Sequence, residues 1–203
     1  VVRTTARVKA RQTLFHEGMP ASTVWLLVKG HVKLSMAGPR GTTRVVDLVS
    51  ADRTPGAVLD PLGLGLDLHV LTGEALTDVQ VCGISRADAM RILSEEPGLA
   101  VRLLTELSQR MTGLVRSFGR DLGGRVRERL ARTLLDVGER HGVRTPEGIT
   151  LALELQRKEW AELVGTSRET VVRLLTGFCR EGLISVQGRR ITLRDPDRLA
   201  RLA

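Results

Sequence analysis

Gln156-Arg-Lys-Glu-Trp-Ala-Glu-Leu-Val-Gly165-Thr-Ser-Arg-Glu-Thr-Val-Val-Arg-Leu-Leu175 is the stretch whose reading decides the fold of this chain of 203 residues. Trp160, Leu163 and Val164 share one helical face, with Arg157, Lys158 and Glu162 largely off it. Gly165 breaks that helix, Thr166-Ser167 opens a second one, and Gly182 stops it just after Glu181. Two helices joined by a tight glycine-containing turn make a helix-turn-helix. With Arg168 set at zero and about 100° per residue, Val171, Leu174, Leu175 and Phe178 fall between roughly 240° and 340°, a single apolar face. Glu169, Val172, Arg173 and Thr176 fall on the other side with Arg168. The charged residues therefore sit in the N-terminal half of the helix and point away from its core. That is where a recognition helix meets base edges. Arginine suits guanine O6 and N7, and a carboxylate accepts from cytosine N4, so Arg168, Glu169 and Arg173 are the candidate base readers.

Two readings of Glu169 stand beside that one. It forms an ionic partner for the arginines on a solvated face, or, three residues after Thr166, it closes a capping box. With Ser167 as the cap, Glu169 is free. Beyond Gly182, Leu183–Val186 and Ile191–Leu193 flank Gln187-Gly188-Arg189-Arg190, which reads as a β-hairpin with a basic tip. Behind a helix-turn-helix this is a wing, where Arg189 or Arg190 touches a phosphate or simply decorates a solvated turn. Residues 125–203 hold 16 Arg and Lys against 11 Asp and Glu. The whole chain has a formal charge of +8, which favours polyanion partners, although 27 Arg against 4 Lys is also what an arginine-rich coding bias produces.

Outward from this segment, residues from about Thr13 to Ile84 read as short strands. Val24–Val28, then Val32–Leu34 and Thr43–Val49 around the turn Ala37–Gly41, and later Leu76–Ile84 carry the pattern, with Gly56, Pro61, Gly63, Gly65 and Gly73 between. A small β-barrel or sandwich follows. After Ser85, a cap with Asp88 three residues on, Arg86–Glu95 reads as a helix, and Pro97 opens another. Along that one Leu104, Leu107, Met111, Leu114, Phe118 and Leu122 recur at steps of three and four, the stripe of a coiled-coil seam. The seam meets a second copy of the chain or packs on the barrel beside it. Gly123-Gly124 marks a hinge before a helix over Val126–Arg140; Thr145-Pro146-Glu147-Gly148 is a turn, and Ile149–Leu153 a short strand. Domains are expected at 1–95, 96–123 and 124–203.

Composition excludes several classes. Three Phe, two Trp and no Tyr leave little for stacked single-strand or RNA recognition. Two cysteines, Cys82 and Cys179, rule out a four-thiolate metal or iron–sulfur site within one chain, and both are expected reduced and buried. No apolar run reaches the roughly 18 residues of a membrane span, and none follows Arg3, Arg7, Lys9 and Arg11 in signal-peptide fashion, so no membrane is expected and a cytoplasmic place is.

The run from Gly165 to Leu175, Glu181-Gly-Leu-Ile184 and the wing resemble the winged helix-turn-helix of the CRP/FNR family, relatives of the cyclic-AMP receptor protein. Val24-Trp-Leu-Leu-Val-Lys-Gly30 and Phe15-His-Glu-Gly18 resemble that family's early strand and the Glu-Gly before it. The resemblance covers nearly the whole chain. It implies an α+β fold: an N-terminal double-stranded β-helix (cupin-like) barrel, a long dimerisation helix and a C-terminal winged helix-turn-helix. It implies a sequence-specific transcription regulator, not an enzyme, with double-stranded DNA, a second copy and RNA polymerase as partners; activator and repressor both stay open. Arg168, Glu169 and Arg173 would read a palindromic TGTGA-like site, while Gln156, Arg157, Ser167, Thr170 and Arg189 would meet the DNA backbone. Leu104, Leu107, Met111, Leu114 and Phe118 would form the dimer seam.

The effector loop departs from the pattern. Nucleotide-binding members carry Gly-Glu-Leu and then an Arg followed by Ser or Thr and Ala. Here Asp60-Pro-Leu-Gly-Leu64 and Val70-Leu-Thr-Gly-Glu-Ala75 stand there, with Pro61 in place of the Glu and Leu71 in place of the Arg. A phosphate would meet Asp60 and Asp67 and no cation. Iron–sulfur members carry a cysteine cluster that is missing, and His16, His31 and His69 are isolated candidates for a haem ligand. No cofactor and no metal are expected, with the effector unknown or absent. The alternatives are regulation by a cyclic nucleotide or another small effector and, in a different class, a cupin-type metal-binding enzyme.

Overall fold

The structure is a computed structural model that describes residues 3–121 and 125–203, the side chains of 3, 40 and 116–121 excepted. The chain divides into two compact units, Val1–Arg116 and Ser117–Ala203.

The first unit holds strands β1 (Arg3–Val8), β2 (Thr13–Phe15), β3 (Thr23–Lys29), β4 (His31–Ala37), β5 (Thr43–Ser50), β6 (Ala57–Val58), β7 (Thr72–Ala75) and β8 (Val79–Ser85). They form two four-stranded antiparallel sheets, β1-β8-β3-β6 and β2-β7-β4-β5. The expected cupin-like barrel takes the form of this jelly roll, which is not closed. Alternation on β4 and β8 sends Val32, Leu34, Val79 and Val81 into one core with Phe15, Leu27 and Leu59. Lys33 and Ser35 leave by the other face of β4, yet are also buried; Lys33 is paired with Glu74 of β7 at 3.0 Å. Ser85 caps helix α1 (Arg86–Glu95) by accepting from the Asp88 amide, as its spacing predicts. Helix α2 begins at Pro97 and runs to Asp121.

One flank of α2 is committed to its own jelly roll. Leu103 packs beside a small cluster of Val24, Leu64 and Ala89. Arg110 donates to the Val58 carbonyl at 2.8 Å, pairs with Glu106 and stands 3.7 Å from Asp47 of β5. The expected seam therefore splits. Leu107 and Leu114 turn half-inward, whereas Leu104 and Met111 are 63% and 66% exposed. Val101 and Val115, absent from the expected stripe, are exposed beside them. The Phe118 side chain, Leu122 and the Gly123-Gly124 hinge lie outside the described residues.

The second unit holds α3 (Val126–His141), β9 (Gly142–Thr145), β10 (Gly148–Leu151), α4 (Arg157–Val164), α5 (Arg168–Arg180), β11 (Ile184–Gln187), β12 (Arg190–Leu193) and α6 (Pro196–Ala200). A four-stranded sheet of order β11-β12-β10-β9 backs the helices. Leu130, Leu134, Trp160, Val171, Phe178, Leu183 and Leu193 make its core. Glu162, expected off the apolar face of α4, is buried, and so is Glu159. Glu159 folds back to accept from the Gln156 amide at 2.6 Å, and α4 packs against both α3 and α5, which leaves little of it facing water. Both cysteines are free but only half-buried, because Cys82 and Cys179 lie next to, not on, the core positions Val81 and Phe178.

Candidate nucleic-acid interface

The turn between α4 and α5 depends on Gly165. Its backbone takes the left-handed conformation (φ 69°, ψ 54°), which glycine adopts without a Cβ penalty. The Gly165 and Thr166 amides both donate to the Ala161 carbonyl and so close α4. Ser167 then caps α5, its hydroxyl accepting from the Thr170 amide at 3.2 Å. That settles which residue caps: the Thr166 capping box is not formed, and Glu169 is released.

On α5, Val171, Leu175 and Phe178 are buried, as the helical angles predict, while Arg168, Glu169, Val172, Arg173 and Thr176 are exposed. Arg168, Glu169 and Arg173 make no hydrogen bond or ion pair with any described residue. The Glu169–Arg173 spacing invites a surface pair worth a few tenths of a kcal/mol, about 0.3, but none forms. Three charged groups thus stand free on one exposed face. The far end of α5 is pinned instead. Glu181 accepts two hydrogen bonds from Arg127 of α3, at 2.9 and 2.7 Å, and the Arg127 guanidinium lies 5.3 Å over the Phe178 ring. Sequence reasoning missed this clamp, since 54 residues separate its partners.

The candidate backbone contacts are arranged unequally. Ser167 and Thr170 hydroxyls lie 3.1 Å apart at the start of α5. Gln156 is half-buried at the head of α4. Arg189 is exposed at the wing tip and has no partner among the described residues, whereas Arg190 pairs with Glu154 at 3.3 Å. Arg157 is half-buried and donates to the Gly188 carbonyl of the wing at 3.1 Å.

In the first unit, the loop that departs from the nucleotide pattern is filled from within. Asp60 precedes a short 3-10 turn, Pro61–Leu64, and its carboxylate meets His69 Nδ1 at 2.7 Å, both side chains being buried. The His69 ring stacks on Phe15 with centroids 4.4 Å apart. Leu71 belongs to the core. The expectation that no cation approaches this loop is corrected: Arg86 bonds the Leu64 carbonyl at 3.1 Å and pairs with Asp67. His16 is exposed; His31 is half-buried near Asp52, and burial holds its pKa below the ordinary range. Among the described residues, no three His, Cys, Asp or Glu side chains gather to hold a metal ion, and no helix is long and apolar enough to cross a membrane.

Two family models match the chain: a cyclic nucleotide-binding domain over residues 5–96, and a Crp-like helix-turn-helix domain over residues 128–202. The global nitrogen regulator of Synechococcus elongatus is 33% identical over 198 residues, spanning 91% of this chain and 83% of that protein. A CRP-like cAMP-activated global transcriptional regulator of Mycobacterium tuberculosis is 27% identical, spanning 94% of this chain and 84% of that one. A solved CRP/FNR-family transcriptional regulator of Thermus thermophilus matches with a TM-score of 0.78 at 26% identity, covering 98% of each chain. With a jelly roll in front, a winged helix-turn-helix behind and these relatives along nearly its full length, the chain belongs to the CRP/FNR family of transcription regulators.

Proposed function

We propose that two copies of this chain bind one palindromic TGTGA-like duplex and regulate transcription there without cyclic AMP. The observation that carries this is the unpaired Arg168, Glu169 and Arg173 face of α5, held up by a buried apolar back. Desolvating a charge already bonded to protein costs its old partner as well; these three have none to lose. The arginines read guanine and Glu169 reads cytosine. Ser167, Thr170, Gln156 and Arg189 meet phosphates, while Arg157 has one guanidinium nitrogen already committed to the wing. The exposed stripe of Val101, Leu104, Met111 and Val115 takes a second copy, and a palindromic site offers its two half-sites to two recognition helices about 34 Å apart, on successive major grooves. In this reading RNA polymerase is the downstream partner and the cytoplasm the place of work.

Fluorescence anisotropy with a labelled palindrome and its scrambled counterpart, at about 0.15 M salt, tests the reading. The palindrome is expected to bind at least about 10³-fold more tightly, with affinity falling steeply as salt rises. Equal affinity for both duplexes overturns the proposal.

The cyclic-AMP-free part has its own support in Pro61, the buried Asp60–His69 pair and the core position of Leu71. A phosphate entering this loop meets a buried carboxylate and an Arg86 already paired with Asp67. Millimolar cyclic AMP is expected to leave the melting temperature unchanged. A ligand at about 100 times its Kd adds about 2.7 kcal/mol, a rise of several degrees for a chain this size. Such a rise defeats this part and leaves the duplex reading standing.

A further inference from the structure

Arg157 opens α4, and its side chain joins that helix to the β11–β12 hairpin. Its Nη2 donates to the Gly188 carbonyl at 3.1 Å, 31 residues along the chain, at the tip of the β11–β12 hairpin. The guanidinium and the Cys179 thiol of α5 also act on each other electrostatically. Burial holds Arg157 below the ordinary arginine range, with the thiol opposing; burial likewise pushes the Cys179 thiol up, with Arg157 opposing. The Nη1 of Arg157 is shielded from solvent and has no hydrogen-bond partner among the described residues. Sinking a cation this way is unfavourable. A side chain that only had to meet a phosphate in open solvent would extend outward and avoid that cost.

The partner end is equally specific. Gly188, at φ +63°, is the first of two residues linking paired Gln187 and Arg190, the position where a type II′ hairpin takes glycine. Arg189 follows it, exposed and without a partner among the described residues. Arg190 on the flank is tied to Glu154. The tip is thus held at its carbonyl and its flank, and the next side chain points outward. We propose that Arg157 is a positioning residue: its grip on the Gly188 carbonyl fixes the wing tip against the helix-turn-helix and presents Arg189 to the phosphate backbone, with no phosphate contact of its own. The consequence for affinity rests on the DNA-binding reading above; the mechanical claim does not. An ordered tip spares the entropy that a loose hairpin loses on docking.

The full chain with Arg157→Met, Arg189→Ala and both together provides the test. Methionine keeps an aliphatic stem and removes every donor. Each single variant is expected to weaken palindrome binding about three- to tenfold, and the double variant to be no weaker than Arg189→Ala alone. The slope of log affinity against log salt should fall by about 0.9 for each phosphate that is no longer neutralised, and no further in the double variant. Amide exchange at Gly188 and Arg189 without DNA should run about tenfold faster in Arg157→Met. A further drop in slope when Arg157→Met is added to Arg189→Ala makes Arg157 a phosphate ligand and overturns the proposal. Unchanged duplex affinity in Arg157→Met, beside a weakened Arg189→Ala, overturns it too. Unchanged amide exchange overturns it whatever the duplex does, while a chain that binds no palindrome yet shows the faster exchange defeats only the DNA reading.

Discussion

Leu104→Arg with Met111→Arg yields a folded monomer whose affinity for a palindrome falls about 10²–10⁴-fold. The two residues are seven apart, so they occupy equivalent positions two helical turns along the seam. Both are largely exposed in the single chain, and neither belongs to the jelly-roll core. Arginine there costs the isolated unit little, since no buried neighbour is displaced. Across a symmetric interface it sets four guanidinium groups where apolar side chains would meet, and burying each leucine or methionine is worth about 1.5–3 kcal/mol. Losing the second copy also removes the effective concentration that holds the second recognition helix over its half-site, which is the source of the 10²–10⁴ factor. Solution mass by light scattering reads the oligomeric state, anisotropy the affinity, and circular dichroism the fold. A double variant that remains dimeric moves the interface away from α2 altogether.

The choice of Leu104 over Leu107 shows what the sequence could and could not convey. A three-and-four spacing marks apolar positions on α2 but says nothing of which flank meets the chain's own jelly roll. That is decided by Arg110, whose partners Val58 and Asp47 come from strands about 50 and 60 residues earlier. Where local chemistry suffices, the reading was close. Ser85 and Asp88, Pro97, the Gly165 stop, the Ser167 cap and the Gly188 turn each act within a few residues of themselves, and the elements they bound fell where expected. Strands of two to four residues, such as β6, β7 and β9, are too short to show alternation. β1 went unread because Arg-Thr-Thr-Ala-Arg-Val offers few apolar residues; it is held by pairing along β8. The Asp60–His69 pair, the Arg86–Asp67 bridge and the Arg157–Gly188 bond were invisible for one reason: each joins residues 9 to 31 apart through a loop whose path no periodicity describes.

Glu169→Ala is expected to act on specificity rather than on binding as such. The carboxylate is exposed, unpaired and free of the Thr166 cap, so its removal should leave the stability of α5 nearly untouched; the Ser167 cap remains in place. Against DNA the side chain has two opposed effects. It repels phosphates wherever the chain lands, and it accepts from cytosine N4 at one base pair of each half-site. Alanine abolishes both. Affinity for scrambled duplex should therefore hold or rise slightly. Discrimination at the one base pair should fall by about 1–3 kcal/mol, roughly 5- to 150-fold. The salt slope should stay constant, because every phosphate keeps its cationic partner. Arg189→Ala gives the opposite pattern, with a smaller slope and an unchanged preferred sequence. Binding-site selection with the variant reads the outcome directly. If the recovered motif keeps its information at every position, Glu169 is a bystander on a solvated helix face, and base reading falls to Arg168 and Arg173 alone.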